Sequence, residues 1–352
     1  MQTKIKFPTK RLLLTLFLCA SAIILLQNYS VSENSSFTFN LLCLVTGIAV
    51  CFLFFIPSFI IKKRSGLDFM SFAHIKTPSA IIFTSAFYAI YFVYTAEYFL
   101  LTYADMFGKK LNPDANLNVI ALMLLLVCVY ASYKGANAIS RCGIFLFIFS
   151  FIAYILIFSG SISSLDFEHY SFSFNGNLND FLHNISFFIT PSFIAVIFAC
   201  LSGYTKNFKI RQTAITLGFI ALLFAIALFF IWFALGDYGR QQEYQIFVLT
   251  KASHLGVVSG IESLYLSIST FSVFLIISLL LCCISKSVGE SSSLKNIVIF
   301  AVLIYVLYIC SDYFNSVKEL LTNPLCLNIL TFISAVIIPV IYLLVFGRKS
   351  YV

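Results

Sequence analysis

The segment Phe181-Leu-His-Asn-Ile-Ser-Phe-Phe-Ile-Thr190-Pro191-Ser192 places a proline inside a long apolar run. Pro191 lies about 15 Å into that run if it is helical, which is close to the midplane of a bilayer. Because proline removes one helical hydrogen bond and clashes with the preceding turn, we expect a break here. The freed carbonyls and the Thr190 and Ser192 hydroxyls can line a binding site. An ordinary kink is the alternative.

The composition around this segment is that of a membrane protein. Of the 352 residues, 61% are hydrophobic and 10% are charged, and the mean hydropathy is +0.99. Soluble domains hold about 45–50% apolar and about 25% charged residues. A water-soluble enzyme, a nucleic-acid binder and a secreted disulfide scaffold are therefore excluded. The polar breaks between apolar runs predict ten spans, at 11–30, 38–61, 78–104, 117–134, 141–160, 181–203, 211–236, 257–284, 294–312 and 325–346.

These spans predict an all-α polytopic membrane protein with a single transmembrane domain. If the N-terminus is inside, 17 of the 22 Lys and Arg residues fall in inner segments, where basic residues accumulate. The N- and C-termini are therefore predicted to be cytoplasmic, and much of the net charge of +8 reflects orientation. Spans 1 and 6 then cross in opposite directions, as a 5+5 inverted repeat requires. The two five-helix repeats are predicted at 1–160 and 181–346.

The midpoint of span 1, which is the counterpart of the proline break, reads Cys19-Ala20-Ser21-Ala22. Ser21 offers a hydroxyl to a ligand, and plain packing through small side chains is the alternative. Span 1 contains no glycine or proline, so its sequence does not predict an unwound segment.

Two carboxylates, Glu97 and Glu262, fall within predicted spans. A carboxylate in a span is costly and usually faces a cavity or a partner. We expect both at similar depth on the outer side, where they bind an ammonium group, share a proton or each hydrogen-bond a hydroxyl. Span 3 adds Tyr88, Tyr91 and Tyr94, whose spacing predicts an aromatic wall leading to Glu97 and suited to a cationic ligand. A structural carboxylate pair near the interface is the alternative.

No cofactor and no metal site is predicted. The ten cysteines lie in or beside apolar runs without a CxxC motif, and the four histidines have no ligand spacing. We interpret the cysteines as small apolar residues. Between spans 7 and 8, residues 240–255 mix charged and apolar side chains. This mixture predicts a short amphipathic helix on the outer surface, with a plain loop as the alternative.

Two segments resemble one known family. Residues 130–141, Tyr-Ala-Ser-Tyr-Lys134-Gly135-Ala-Asn-Ala-Ile-Ser-Arg141, look like the junction of spans 4 and 5 in spore germinant-receptor B subunits of the GerAB type. Residues 247–251 and Gly260-Ile261-Glu262 resemble the outer loop and the start of span 8 in the same family. That family belongs to the amino acid–polyamine–organocation (APC) transporter superfamily, so the resemblance implies a LeuT-like 5+5 fold. It also implies an inner spore membrane location and a germinant-sensing role beside an A subunit and a lipoprotein C subunit.

The functional prediction is therefore a germinant-sensing membrane subunit of a spore germination receptor. A small germinant, such as an amino acid, would bind between spans 1, 3, 6, 8 and 10. The alternative is a proton- or sodium-coupled secondary amino acid transporter. A membrane-embedded transferase is disfavoured because the sequence offers no His/Asp/Ser set at one depth, so we predict that the protein is not an enzyme.

Overall fold

The computed structural model describes residues 7–26, 36–76, 81–110, 113–167, 176–206, 209–240, 242–255, 258–259, 261–288 and 294–346. Nearly all of these residues are helical. In chain order the α-helices are α1 (Thr9–Leu26), α2 (Phe37–Ser65), α3 (Phe69–Lys76), α4 (Ile81–Lys110), α5 (Leu117–Lys134), α6 (Ala136–Gly160), α7 (Leu178–Ile189), α8 (Phe193–Leu201), α9 (Ile210–Arg240), α10 (Gln245–Ala252), α11 (Glu262–Val288), α12 (Leu294–Tyr313), α13 (Asn315–Leu321), α14 (Pro324–Phe332) and α15 (Ile338–Phe346).

Short elements complete the described chain. Three-residue 3₁₀ turns lie at Ile162–Ser164, Thr190–Ser192 and Ser202–Tyr204, and one π-helical turn, Ile333–Ile337, joins α14 to α15. Four two-residue strands form two ladders. The strands β1 (Phe7–Pro8) and β2 (Thr205–Lys206) pair in parallel, and β3 (His254–Leu255) and β4 (Val258–Ser259) pair antiparallel.

Within the described ranges, nine helical segments are long and apolar enough to cross a membrane. They correspond to nine of the ten predicted spans. The remaining predicted span is α4, which at 30 residues is about 45 Å long. It is less apolar than the others because it carries Glu97, Asp105 and a series of tyrosines and threonines. Its buried side chains run from Thr84 to Met106, so α4 lies among the other helices.

The helices divide into a buried centre and an apolar periphery. In α1, in the segment from α7 to Tyr204, and in α11, 78% of the most apolar window is buried, against 28% in α5 and α12. The exposed side chains of the outer helices are large and apolar, as at Phe145, Leu222 and Val302. Polar groups are expensive in lipid and apolar ones are not. This distribution is therefore that of a multi-pass membrane protein.

Both described ends of the chain lie at the same side of the bundle. Phe69, just after α2, contacts the ring of Tyr342 in α15 at 5.4 Å between centroids, and β1 pairs with β2 after α8. We call this the termini side. The opposite, far side carries α10 and α13. A short helix is present within 240–255, but five of the eight residues of α10, Ile246 and Phe247 among them, are buried, so it packs into the bundle and the predicted position on the outer surface is wrong.

Candidate functional site

The proline segment forms a break between α7 and α8. Regular α-helix ends at Ile189, Thr190–Ser192 form a 3₁₀ turn, and α8 begins at Phe193. The Phe193 N–H donates to the Thr190 carbonyl, so the Ile189 carbonyl loses the partner that it has in a regular α-helix. The Cys51 thiol of α2 approaches this oxygen at 3.4 Å. The predicted break is confirmed as a tightened turn.

Ser192 is the polar group at the break that is left unpaired. Its side chain is fully buried, and its hydroxyl has no hydrogen-bond partner among the residues that the structure describes. The Thr190 hydroxyl donates to the Ser186 carbonyl at 3.0 Å, and Pro191 is buried beside it. A buried hydroxyl without a partner costs about 1–3 kcal/mol, so this turn has unused hydrogen-bonding capacity in the middle of the bundle.

Helix α1 packs against this turn and is continuous over its described length. The Ser21 hydroxyl donates to the Leu18 carbonyl at 2.9 Å within its own helix. Span 1 is therefore helical where span 6 is broken, as its lack of glycine and proline indicates. Ser21 faces the interior of the protein with no exposed surface.

A small cavity adjoins the break on the far side. Its volume is about 20 Å³, enough for one water molecule. Apolar side chains of α1, α7 and α9 form most of its wall, including Ile24, Phe187, Phe188 and Phe224. Gln245 of α10 also lines it, and neither polar atom of its buried amide has a partner in the described part of the chain. Sequence reasoning missed Gln245, because a glutamine in an amphipathic surface helix gives no sign that it is buried.

The three tyrosines of α4 hold that helix to other elements. Tyr88 donates to the Ser334 carbonyl at 2.5 Å, Tyr91 shares a hydrogen bond with Thr331 at 3.0 Å, and Tyr94 donates to the Leu320 carbonyl at 3.0 Å. A helix turns by about 100° per residue, so a step of three residues falls about 60° short of a full turn. Residue 97 is three such steps beyond residue 88, and the two therefore point to opposite sides of α4. The prediction of a continuous aromatic wall leading to Glu97 is therefore wrong.

Glu97 is nevertheless an unusual residue. It is the seventeenth of 30 residues in α4, near the middle of that helix, and its side chain is fully buried. Neither carboxylate oxygen has a hydrogen-bond partner in the described ranges. The Tyr308 side chain of α12 lies near Glu97, Asp105 and Asp312. Two residues further along α4, the Phe99 ring contacts that of Phe193, the first residue after the break, at 4.9 Å between centroids.

Glu262 lies far from Glu97. Tyr103 of α4 and Thr270 of α11 share a hydrogen bond at 2.8 Å, which sets the register between these helices. Glu97 is six residues from Tyr103 toward the termini side, and Glu262 is eight residues from Thr270 toward the far side. At 1.5 Å per residue the two glutamates are about 21 Å apart along the bundle. The prediction of a shared depth is therefore wrong. Helix α4 extends to Lys110, which leaves Glu97 near its middle, whereas Glu262 is the first residue of α11 and lies at its far-side end.

Further buried hydroxyls lie where α1, α6 and α11 pack together. Ser150 and Tyr154 of α6 and Ser272 of α11 have no hydrogen-bond partners among the described residues. Tyr154 lies near Ser21 of α1. Sequence reasoning missed this set because single hydroxyls are common in membrane helices. Only their convergence from three helices distinguishes them.

The described residues contain no group of three side chains that could hold a metal ion. All ten cysteines are free thiols, and seven of them are buried. This burial agrees with their interpretation as small apolar residues.

These features define a class of protein: a polytopic, all-helical membrane protein with a broken sixth span. Many solved structures are similar in fold, and two of them are transporters with bound ligands. MhsT in complex with L-phenylalanine aligns with a TM-score of 0.66 and 11% identity over 98% of this chain and 91% of that chain. Mhp1, a nucleobase-cation-symport-1 family transporter in a closed conformation with bromovinylhydantoin bound, aligns with a TM-score of 0.61 and 15% identity over 100% of this chain and 83% of that chain. The LeuT-type transporter fold is thereby confirmed.

The chain belongs to the spore germination permease family, whose model, described as "Spore germination protein", matches residues 4–319. No curated protein sequence matches the chain. The predicted transporter-like membrane protein of spore germination is therefore confirmed. Its family and its structural neighbours are of the transporter and permease type.

Proposed function

We propose that this protein is the germinant-sensing subunit of a spore germination receptor and that it binds a small germinant, such as an amino acid, at the α7–α8 break. The observation that carries the proposal is the Ser192 hydroxyl, which is buried and unpaired among the described residues at a mid-span helix break. A ligand with a carboxylate or a carbonyl supplies the missing partner. Pairing this hydroxyl contributes to ligand affinity because its desolvation has already been paid for in folding.

The other residues that we propose for ligand binding are Ser21, Tyr91, Tyr94, Glu97, Thr190, Pro191 and Glu262. Thr190 and Pro191 form the break itself, and Ser21 lies on α1, the helix that packs against it. The cavity beside Phe188 has room for only about one water molecule, so a ligand with an apolar side chain requires it to widen. L-phenylalanine is the ligand of the similar structure MhsT. Tyr91 and Tyr94 hold α4 in place opposite the break. We propose that Glu97 affects the response through its contact with α12 and that Glu262, at the far-side end of α11, meets a ligand that approaches from that side.

The assembly and orientation are part of the same proposal. The family resemblance supports an A subunit and a lipoprotein C subunit as partners and the inner spore membrane as the location. Basic residues accumulate in the segments of the termini side, which supports a cytoplasmic position for both termini. The repeats 1–160 and 181–346 then form the two inverted halves of the fold.

Ser192→Ala is expected to lower germinant sensitivity without lowering stability. The substitution removes a hydroxyl that has no partner in the described structure, so folding loses no hydrogen bond, whereas a bound ligand loses one. We expect the germinant concentration for half-maximal response to rise about tenfold, corresponding to roughly 1.4 kcal/mol. Germination of variant spores and ligand-induced thermal stabilisation of the purified protein measure the effect.

Ser140→Ala in α6 is the matched control for this test. Ser140 is also a buried serine, but its hydroxyl donates to the Asn137 carbonyl of its own helix at 3.1 Å. We expect wild-type sensitivity from this variant. Equal responses from both variants would show that the ligand does not use Ser192.

Transport by the lone chain is the second candidate function. It is favoured by Glu97, a buried carboxylate without a partner in the described ranges, which is the kind of group that carries a coupling proton. If the chain is a sensor only, proteoliposomes with an imposed pH gradient will accumulate labelled amino acids no faster than empty liposomes. Uptake that depends on the gradient and is lost in Glu97→Gln would favour the transporter.

A further inference from the structure

Two lysines from other helices hold the termini-side end of α8. Lys286 of α11 donates to the Cys200 carbonyl at 2.5 Å, and Lys62 of α2 donates to the Ser202 carbonyl and to the Thr205 hydroxyl. The last carbonyls of a helix lack intrahelical partners and carry partial negative charge. The two ammonium groups therefore satisfy and neutralise the end of this short helix.

Lys286 is also part of a buried ion pair. Its ammonium group contacts the Asp68 carboxylate, and the two side chains are only 8% and 2% exposed. The Tyr204 ring lies 4.5 Å from the same ammonium nitrogen, within the range of a cation–π interaction. Because both charges are desolvated, removing either one leaves the other buried and uncompensated.

The backbone around Asp68 fits this arrangement closely. Gly66 ends α2 with φ of 70° and ψ of −2°, a left-handed conformation that favours glycine. The chain thereby turns sharply before Asp68. A Cβ atom added at Gly203 would lie 2.7 Å from the Asp68 carboxylate, so only glycine lets the end of α8 approach this close.

The first residues that the structure describes are tied to the same place. Strand β1, Phe7–Pro8, pairs in parallel with β2, Thr205–Lys206, directly after the 3₁₀ turn that follows α8. Helix α1 begins at the next residue, Thr9. Spans 1 and 6 are therefore fastened to each other at the termini side, while α8 meets the proline break at its other end.

We propose that Asp68, Lys286, Tyr204 and Lys62 form a clasp that holds α8 closed in the resting protein, and that a ligand at the α7–α8 break acts by releasing it. This inference rests on the proposed function for the identity of the stimulus. Helix α8 has nine residues between a turn that acts as a pivot and this charged attachment. A ligand that binds better to the released state shifts the population toward that state.

Weakening the clasp is expected to expose α8 without any ligand. The test is the rate at which a soluble maleimide alkylates Cys200 in the full-length protein in nanodiscs, measured by peptide mass spectrometry. Cys200 is buried and its carbonyl is part of the clasp, whereas Cys310 is exposed and serves as the internal reference. We expect Asp68→Asn to raise the Cys200 rate at least tenfold relative to Cys310.

Glu243→Gln is the matched control, because it makes the same chemical change in the exposed ion pair of Lys109 and Glu243, 3.5 Å apart on the far side. It should leave the Cys200 rate unchanged. Lys62→Met is the second clasp variant, since Lys62 is half-buried and its loss leaves the Asp68 ion pair intact. It keeps the test decisive if Asp68→Asn does not fold.

The labelling result is independent of the germinant. Unchanged Cys200 labelling in a folded clasp variant would overturn the clasp, whatever the ligand proves to be. If labelling rises in the clasp variants but Ser192→Ala spores respond as wild type, the clasp stands and the ligand site is wrong. If both proposals hold, Lys62→Met spores should also germinate without germinant above the wild-type background.

Discussion

Gly47→Leu is expected to destabilise the folded protein in the membrane. A Cβ atom at this position of α2 would lie 2.5 Å from the Phe188 Cβ and 3.1 Å from the Phe188 carbonyl carbon. The obstacle includes backbone, so α7 must move as a unit. Overpacking of this kind costs about 1–3 kcal/mol, and more where the backbone has to shift. The yield of protein in the membrane and the unfolding temperature in detergent measure the loss.

Gly218→Leu in α9 is the control for Gly47→Leu. It makes the same substitution inside a membrane helix, but a Cβ there meets nothing within 4 Å and the position is exposed. We expect normal yield and unchanged melting. If both leucine variants behave alike, helix propensity rather than the α2–α7 contact would account for the effect.

Glu97→Leu is expected to stabilise the protein and abolish its response. The substitution removes two buried oxygens that have no hydrogen-bond partner among the described residues, so the free energy of unfolding should rise by about 1–3 kcal/mol. If the carboxylate takes part in sensing, the germination response falls at least tenfold in the same variant. Thermal unfolding of the purified variant tests the gain in stability, and germination of variant spores tests the loss of response.

Glu97→Gln separates charge from polarity in this experiment. The amide remains buried and unpaired, so it should lose the response without the gain in stability. Glu319→Leu in α13 repeats the leucine substitution at an exposed glutamate and should change neither quantity. A stabilised Glu97→Leu protein with a normal response would assign the carboxylate no part in function.

Local chemistry made the break and most span boundaries predictable. Pro191 cannot donate a hydrogen bond wherever it sits, so a disturbance of the helix at Thr190–Ser192 is expected from residue type. Its form as a 3₁₀ turn is not, because α2 continues through Pro57. The predicted fourth span, 117–134, matches α5 at both ends because Asn116 caps its start and Gly135 follows its end. Apolar length and capping residues are properties of single segments, which is why they can be read from the sequence.

Relations between helices could not be predicted in the same way. The spacing of Tyr88, Tyr91 and Tyr94 is helical, but which neighbour each one faces depends on how α4 is rotated in the bundle. The depth of Glu262 relative to Glu97 depends on a register that the Tyr103–Thr270 hydrogen bond defines. Asp68 and Lys286 are 218 residues apart in the chain, and each looks like an ordinary charge at a helix end until they are brought together.

The hydroxyl groups along α4 have a mechanical consequence. Thr84 and Tyr342 share a hydrogen bond at 2.7 Å, and the bonds from Tyr88 and Tyr91 continue the same row to the π-helical turn and to α14. Three such bonds over about two helical turns fix both sliding and rotation between these helices. We therefore expect the third and last spans to move together as one unit. A ligand-induced change is then expected to move the nine residues of α8 rather than these two spans.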